Sequence, residues 1–306
     1  EAKEKLVRLL RKFRPDVIHL SNFNYQLTPT ILEALAAYKK KKPSARVIYT
    51  AHDVQLVCPN HMLYNPGTKE LCDKCVDGDF YHCAEGKCIH ESFLRSALGS
   101  AEAYYWGKKG IYEVLDEIIC PSKFMKETLD HNPLLAKKTR VLLNYTKNID
   151  VDAVDAEVNL EDPYIVFFGR LAIEKGLVPL AEAMKALPHV RLLIAGEGPM
   201  KECFKDLPNV TFLGFLSGMD LYKVVKGALF SVCPSVWHEN CPFAVIESLK
   251  LRTPVLASRV GGIPELIDDG VNYHLADVTS GGRDNVIPSS CEAILVSDDE
   301  NIEKAV

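Results

Sequence analysis

Tyr164-Ile165-Val166-Phe167-Phe168-Gly169-Arg170-Leu171-Ala172-Ile173-Glu174-Lys175-Gly176 decides the fold of this 306-residue chain. Five apolar residues in succession read as a strand buried on both faces. The glycine that ends them opens a loop with two cations before a helical pattern runs through Leu187. The pattern repeats at once, with a strand over 190–195, then Gly196-Glu197-Gly198-Pro199 and a further helix. Strands over 209–214, 228–234, 254–258 and 293–297 continue the alternation. This rhythm predicts an α/β fold with a parallel, doubly wound sheet that takes its ligands at the carboxyl ends of the strands. Arg170, the Gly196 loop, the Leu216-Ser217 loop, Glu239 and the Gly261-Gly262-Ile263-Pro264-Glu265 turn each follow a predicted strand, so they should gather on one edge.

The chemistry on that edge is carried by Ser235-Val236-Trp237-His238-Glu239-Asn240-Cys241-Pro242-Phe243-Ala244-Val245-Ile246-Glu247. Pro242 suits the first position of a helix, and Phe243, Ile246, Leu249 and Lys250 follow at helical spacing. Glu239 then lies in the entering loop and Glu247 on the second turn. Cys241 in the capping position is a poor acceptor, which leaves first-turn N–H groups for a phosphate. Two carboxylates for sugar or ribose hydroxyls beside such a helix end suit a nucleotide-sugar; alternatively they face water or favour the helix dipole. Arg170 and Lys175 could clamp a diphosphate and stabilise it as it leaves, or pair with Glu174 or solvent.

In order along the chain, GRLAIEKG, GEGP, the two glutamates of HENCPFAVIE and PVLASRVGGIPELI resemble the donor half of a glycosyltransferase family 4 enzyme. The resemblance implies the GT-B architecture, in which two Rossmann-like domains face a cleft. It also implies a retaining enzyme that moves a sugar from a UDP- or GDP-sugar to a glycan or lipid-linked acceptor in cell-surface polysaccharide or glycoconjugate synthesis, with no catalytic metal. By that likeness Arg170 and Lys175 hold the donor diphosphate, Glu239 takes the sugar hydroxyls and Glu247 the ribose, with Gly169 and Glu197 also in the donor site. Backbone N–H groups around Asn240, Cys241, Pro242 and Phe243 would meet the sugar and phosphates.

The first half alternates in the same way, with a helix over 1–13, a strand over 15–20, a helix over 26–42 and a strand over 45–50 that runs into Ala51-His52-Asp53. A His and an Asp at a strand's carboxyl end occupy a functional position. In the resemblance His52 matches the histidine near the reacting sugar and acceptor, where it donates a hydrogen bond to the leaving phosphate or orients the acceptor. Asp53 and Asn22 are acceptor-side candidates; the alternative for His52 is a structural role, against which its strand-end position weighs. Between Cys58 and His90 lie five of the ten cysteines. Cys72-x2-Cys75 with Cys83 and Cys88 supplies four thiolates, enough for a tetrahedral structural zinc that staples a long loop. Reduced thiols, or disulfides in an exported chain, are the alternatives.

Length predicts two domains, an acceptor-side one over 1–150 and a donor-binding one over 163–306, joined by an acidic linker over 151–162. Against the family pattern, the first domain is expected to begin partway in, since no glycine precedes Gly67, and the end is expected to be clipped. Residues 275–292 read as a loop insertion. Residues 1–50 carry 11 Lys or Arg against 4 Asp or Glu, a net +7, so a total of −5 leaves −12 for the remainder. The basic end could dock on an anionic membrane surface, although Lys39 to Lys42 also complement a helix carboxyl terminus. With no apolar run of about 20 residues, membrane contact would be peripheral, and a nucleotide-sugar enzyme is expected in the cytoplasm at the inner face. A pI near 6.0 and the lack of an aromatic-basic motif point away from nucleic acid. Two other classes fit in part. A dinucleotide oxidoreductase would need the missing G-x-G-x-x-G after a first strand, and a non-catalytic nucleotide-sugar-binding fragment needs only the donor pocket.

Overall fold

In a computed structural model that describes residues 1–23, 27–159 and 161–267 and the backbone of 274–276, the chain forms two compact units that divide after Leu143. Because an α/β unit must cover both faces of its sheet, helices follow nearly every strand.

The first unit comprises α1 (Ala2–Phe13), β1 (Val17–Leu20), α2 (Thr30–Lys41), β2 (Arg46–Thr50), β3 (Tyr64–Asn65), β4 (Glu70–Leu71), α3 (Tyr81–Glu85), α4 (Phe93–Lys108), β5 (Glu117–Cys120), α5 (Lys123–Asp130), α6 (Pro133–Ala136) and β6 (Thr139–Val141). Its main sheet is parallel, in the order β1-β2-β5-β6, and β3 pairs with β4 in a small antiparallel ribbon. Tyr49, Phe23, Leu32, Leu35, Leu115, Ile118, Met125 and Leu129 are fully buried in its core. Helix starts follow local chemistry: Ser122 accepts from the Met125 N–H to begin α5, and Asn132 caps α6 with Pro133 at its first turn. The lysines at the end of α2 are paired as well as solvated, Lys39 with Asp116 and Lys42 with Asp16.

The second unit begins at Asn144 and comprises β7 (Ile165–Phe168), α7 (Leu177–Ala186), β8 (Leu192–Ala195), β9 (Val210–Gly214), α8 (Gly218–Lys226), β10 (Ser231–Cys233), α9 (Phe243–Lys250), β11 (Val255–Ser258) and β12 (His274–Ala276). All six strands run parallel in the order β12-β11-β10-β7-β8-β9. The apolar run that opens the unit is explained by its position. Ile165 and Phe167 pack on one face with Leu177, Leu180 and Met184, while Val166 and Phe168 pack on the other with Val154, Val225 and Leu251. The chain builds outward from β7 to β9, then crosses back to lay β10 on the other side of β7. The helices after β7 and β10 therefore cover opposite faces of the sheet, and the place between these two strands is the topological switch point where ligands bind in sheets of this kind.

Three details differ from the sequence reading. Residues 144–159, expected largely as linker, are held on the second unit. Lys250 Nζ donates to Thr146 O at 2.9 Å, Lys226 Nζ to Val151 O and Val154 O, and Val154 is buried. The helix expected after Gly198 is a 3-10 segment over Pro199–Phe204. Helix α9 starts one residue later than expected, since Pro242 has extended ψ of 126° and takes the capping position. The strand expected over 293–297 and the insertion over 275–292 fall almost wholly outside the described residues.

Candidate active site at the switch point of the second sheet

The loop after β7 folds back on the loop after β10, and glycines make the approach possible. A Cβ on Gly176 would stand 1.7 Å from Pro234 O, and one on Gly196 would stand 1.9 Å from Gly169 O. Both positions have positive φ, so the backbone conformation and the lack of a side chain are required together. This close docking brings Lys175 and Glu239 into contact across 64 positions of sequence.

Lys175 Nζ donates to Glu239 Oε1 at 2.6 Å, and Ser235 Oγ donates to the same oxygen at 2.6 Å. Glu239 and Ser235 are buried. The Glu239 backbone is gripped as tightly: Gly262 N donates to Glu239 O at 2.7 Å, and a Cβ on Gly261 would reach 2.1 Å from that oxygen. Arg170 donates to Glu174, which is buried, while Arg170 itself reaches into solvent. Val236 N donates to Glu174 O at 3.1 Å, so Glu174 ties the cationic loop to the Glu239 loop. Each cation is thus paired with a carboxylate, and the pairs form the floor and rim of one polar constellation.

Helix α9 adds donors at its start. No side chain caps it, and Pro242 has no side-chain acceptor to offer. Its first-turn N–H groups and the positive end of its dipole suit an anion. The Cys241 carbonyl, facing the other way, accepts from Asn144 Nδ2 at 3.0 Å and anchors the turn. Asn240 is half-buried and Phe243 exposed at the helix start. Glu247 is half-buried on the second turn, and burial raises its pKa, with Lys250 opposing. Glu197 is exposed after β8, and its carbonyl accepts from Leu171 N at 2.8 Å. The burial of Cys233, and secondly the charge of Glu239, push its thiol up to about 11, so it lines the site as a neutral group.

In the first unit the ends of β1 and β2 make a separate cluster. Asn22 Nδ2 donates to Asp53 Oδ2 at 2.7 Å, and Gln55 N donates to Asp53 Oδ1 at 2.9 Å. Burial raises the Asp53 pKa, which the Gln55 N–H and His61 partly offset. His52 is exposed at the strand end, and desolvation, then the charge of His19, lowers its pKa. His19 is itself held by Thr50 at 2.7 Å. A neutral imidazole beside an anchored carboxylate is able to accept or relay a proton at neutral pH.

The cysteines divide differently from their spacing. Cys75, Cys83 and Cys88 are buried in one small cluster, Cys58 is buried in the main core of the unit, and Cys72 is half-exposed; among the described residues no three His, Cys, Asp or Glu side chains are grouped so as to hold a metal ion. Sequence reasoning missed Ser235 and Asn144 as supports, whereas the pairing of Arg170 with Glu174 was one of its alternatives. Ser235 follows β10 by two residues, a strand-end position that would have flagged it.

Two families match the chain in tandem: Glycosyltransferase Family 4 over residues 1–145 and Glycosyl transferases group 1 over residues 149–280. An uncharacterised glycosyltransferase of Methanocaldococcus jannaschii is 37% identical over 124 residues, 37% of this chain and 31% of that protein. An uncharacterised 42.6 kDa protein in the cps region of Klebsiella pneumoniae is 26% identical over 263 residues, 84% of this chain and 61% of that protein. The aligned stretches thus span less than two thirds of either relative. Among solved structures, Anabaena HepE in complex with UDP and glucose superposes with a TM-score of 0.58 at 17% identity, over 90% of this chain and 67% of that one. The parallel-sheet units, their GT-B structural neighbours and the two matched families agree, and the chain belongs to glycosyltransferase family 4.

Proposed function

We propose that the chain binds a nucleotide-sugar, a UDP- or GDP-sugar, at the β7/β10 switch point and serves a retaining sugar transfer. The observation that carries this reading is the Lys175–Glu239 pair at 2.6 Å beside the uncapped start of α9, which sets a cation, a carboxylate and free N–H donors around one crevice. In the proposed complex Arg170, Lys175 and the α9 N–H groups hold the diphosphate, Glu239 orients the sugar hydroxyls, and Glu247 takes the ribose. As the bond from the anomeric carbon to the diphosphate breaks, the two cations stabilise the charge that develops on the leaving oxygens. The acceptor hydroxyl attacks from the same face, and its proton passes to the departing phosphate. His52, with Asp53 and Asn22, is proposed to act on the acceptor side. The acceptor class is a glycan or lipid-linked sugar of surface polysaccharide synthesis. The cytoplasmic face of a membrane is the proposed setting; among the described residues no helix is long and apolar enough to cross one.

The test is Glu239→Ala in the full-length protein. Transfer should be lost while the folded state persists, and undiminished transfer would sink the assignment. A nucleotide-binding fragment without transferase activity would instead bind UDP or GDP normally and turn over no donor.

A further inference from the structure

Helix α4 is turned inside out. Ser96 and Ser100, at 0% and 5% exposure, lie on its buried face with Trp106, whereas Leu94, Leu98 and Tyr105, at 68%, 63% and 57%, face water. With the exposed Ala101 these three recur at i, i+4, i+7 and i+11, so they form one continuous row along the helix. Phe93 and Tyr104 border the row and are exposed as well. The small residues are inside because the lobe after β2 comes close there. Ser96 Oγ accepts from Ile89 N at 2.9 Å, Ser100 Oγ donates to Phe80 O at 2.6 Å, and a Cβ on Gly99 would stand 2.5 Å from Ile89 Cδ1. Nothing in that docking calls for leucines on the far side, where charged residues of equal helix propensity would serve. A row of large apolar side chains displayed this way marks a surface of contact.

The charges around the row choose the partner. Strands β1, β2 and β5 are parallel neighbours, so right-handed crossovers put α2 and α4 on the same face of their sheet. Helix α1 packs on α2. Glu33 of α2 binds Lys3 of α1 at 2.5 Å and also Lys109 at the end of α4, which joins the three helices in one layer. These helices carry 10 Lys or Arg against 3 Glu, a net of +7 in a chain of net −5. Arg95 and Lys108 are exposed on α4 itself, and Lys108 continues the row one turn beyond Tyr105. Two such layers would repel each other, which argues against a second copy as the occupant. Leucine and phenylalanine with tyrosines and flanking cations make up a helix suited to a bilayer interface, where the rings sit at headgroup depth and the cations reach lipid phosphates.

We propose that the outer face of α4 from Phe93 to Tyr105, with the basic layer around it, docks the first unit on an anionic lipid bilayer. The row from Leu94 to Tyr105 is about 16 Å long and lies in the plane of the interface. The proposal gives the membrane setting described above a definite surface and rests on the sugar-transfer reading for that setting alone.

The experiment is sedimentation of the full chain with vesicles of phosphatidylglycerol and phosphatidylcholine in equal parts, and with phosphatidylcholine alone. The chain should bind the anionic vesicles, bind the neutral ones about tenfold or more weakly, and leave the anionic ones in about 1 M salt. Leu94→Ser with Leu98→Ser should weaken anionic binding about tenfold or more. Val158→Ser, which removes a 40%-exposed apolar side chain from the second unit, should leave it unchanged. Both leucines are exposed, so the double variant should melt as the parent does. No binding to anionic vesicles overturns the proposal, as does full binding by the double variant or equal binding to neutral vesicles. A dimer that the double variant abolishes, without vesicle binding, overturns it in favour of a second copy. The rise in Tm with UDP or GDP, measured on the same proteins, reads the donor site separately.

Discussion

Replacing Lys175 with methionine isolates the charge pairing at the heart of the site. The ammonium lies 2.6 Å from Glu239 Oε1, with the two side chains 26% and 11% exposed. Methionine keeps most of the stem's volume and removes the charge, so of the two donors to that oxygen, Lys175 and Ser235, only the Ser235 hydroxyl is left. Breaking a fully buried pair by removing one partner costs about 3–5 kcal/mol. The partial exposure of Lys175 lets water replace some of the lost interaction, which brings the expected cost to roughly 1.5–3 kcal/mol. For a chain of this size about 2–4 °C accompanies each kcal/mol, so the transition should fall by roughly 3–12 °C. Urea unfolding followed by the fluorescence of Trp237, in the same loop as Glu239, reads the second unit directly once the first unit's Trp106 is replaced by Phe in both proteins compared. Adding Glu239→Gln removes the stranded charge, and the double variant should be more stable than the sum of the singles predicts by about 1–2 kcal/mol. Strict additivity would refute the pairing as the organising contact of the site.

Four other variants have outcomes set by the structure. Gly261→Ala puts a methyl 2.1 Å from Glu239 O at a φ of 57°, so it should cost about 2 kcal/mol or more and remove nucleotide binding. Gly218→Ala at φ 60° meets open space and should cost only about 1–2 kcal/mol with binding intact, as paired melting curves with and without UDP would reveal. Glu247 has a pKa raised above 4.5 by burial, so its charged form is disfavoured in the folded state. The resulting destabilisation is present at neutral pH and is relieved as pH falls through the folded pKa. Glu247→Gln should therefore raise Tm at pH 7 and lose that advantage below about pH 4.5, measured as a pH series of melts. In the first unit Asn22→Ala removes the 2.7 Å bond to Asp53 and should cost about 0.5–1.5 kcal/mol in urea unfolding, with no effect on nucleotide binding by the second unit.

The positions of the β-strands were legible because burial on both faces writes itself into sequence as continuous apolar runs, of which β7 is the clearest; their order in the sheet was not. Loop residues were legible where a strand delivers them to an edge, which is how Arg170, Lys175, Glu239 and His52 were found. What pairs with what was not legible. Lys175 could have reached solvent or a phosphate, and only the docking of Gly176 on Pro234 O turns it toward Glu239. Arg170 likewise meets Glu174, one of the alternatives open in the sequence, because Glu174 is buried under the same loop. Segment 144–159 read as linker because its acidic residues show no period. Its anchoring comes from Asn144, Val154 and lysines far along the chain, which no local pattern records. Cysteine spacing singled out Cys72 with Cys75, Cys83 and Cys88, whereas the half-exposure of Cys72 and the burial of Cys58 depend on how the lobe folds.

The most direct test of the donor site is thermal unfolding of the chain with saturating UDP, GDP, ADP or NAD. A ligand at about 100 times its dissociation constant stabilises by roughly 2.7 kcal/mol, a rise of several degrees. Our account predicts that UDP or GDP alone gives this rise and that Glu247→Ala and Lys175→Met abolish it. Stabilisation by NAD alone, or an unchanged response in both variants, would contradict a nucleotide-sugar site between β7 and β10.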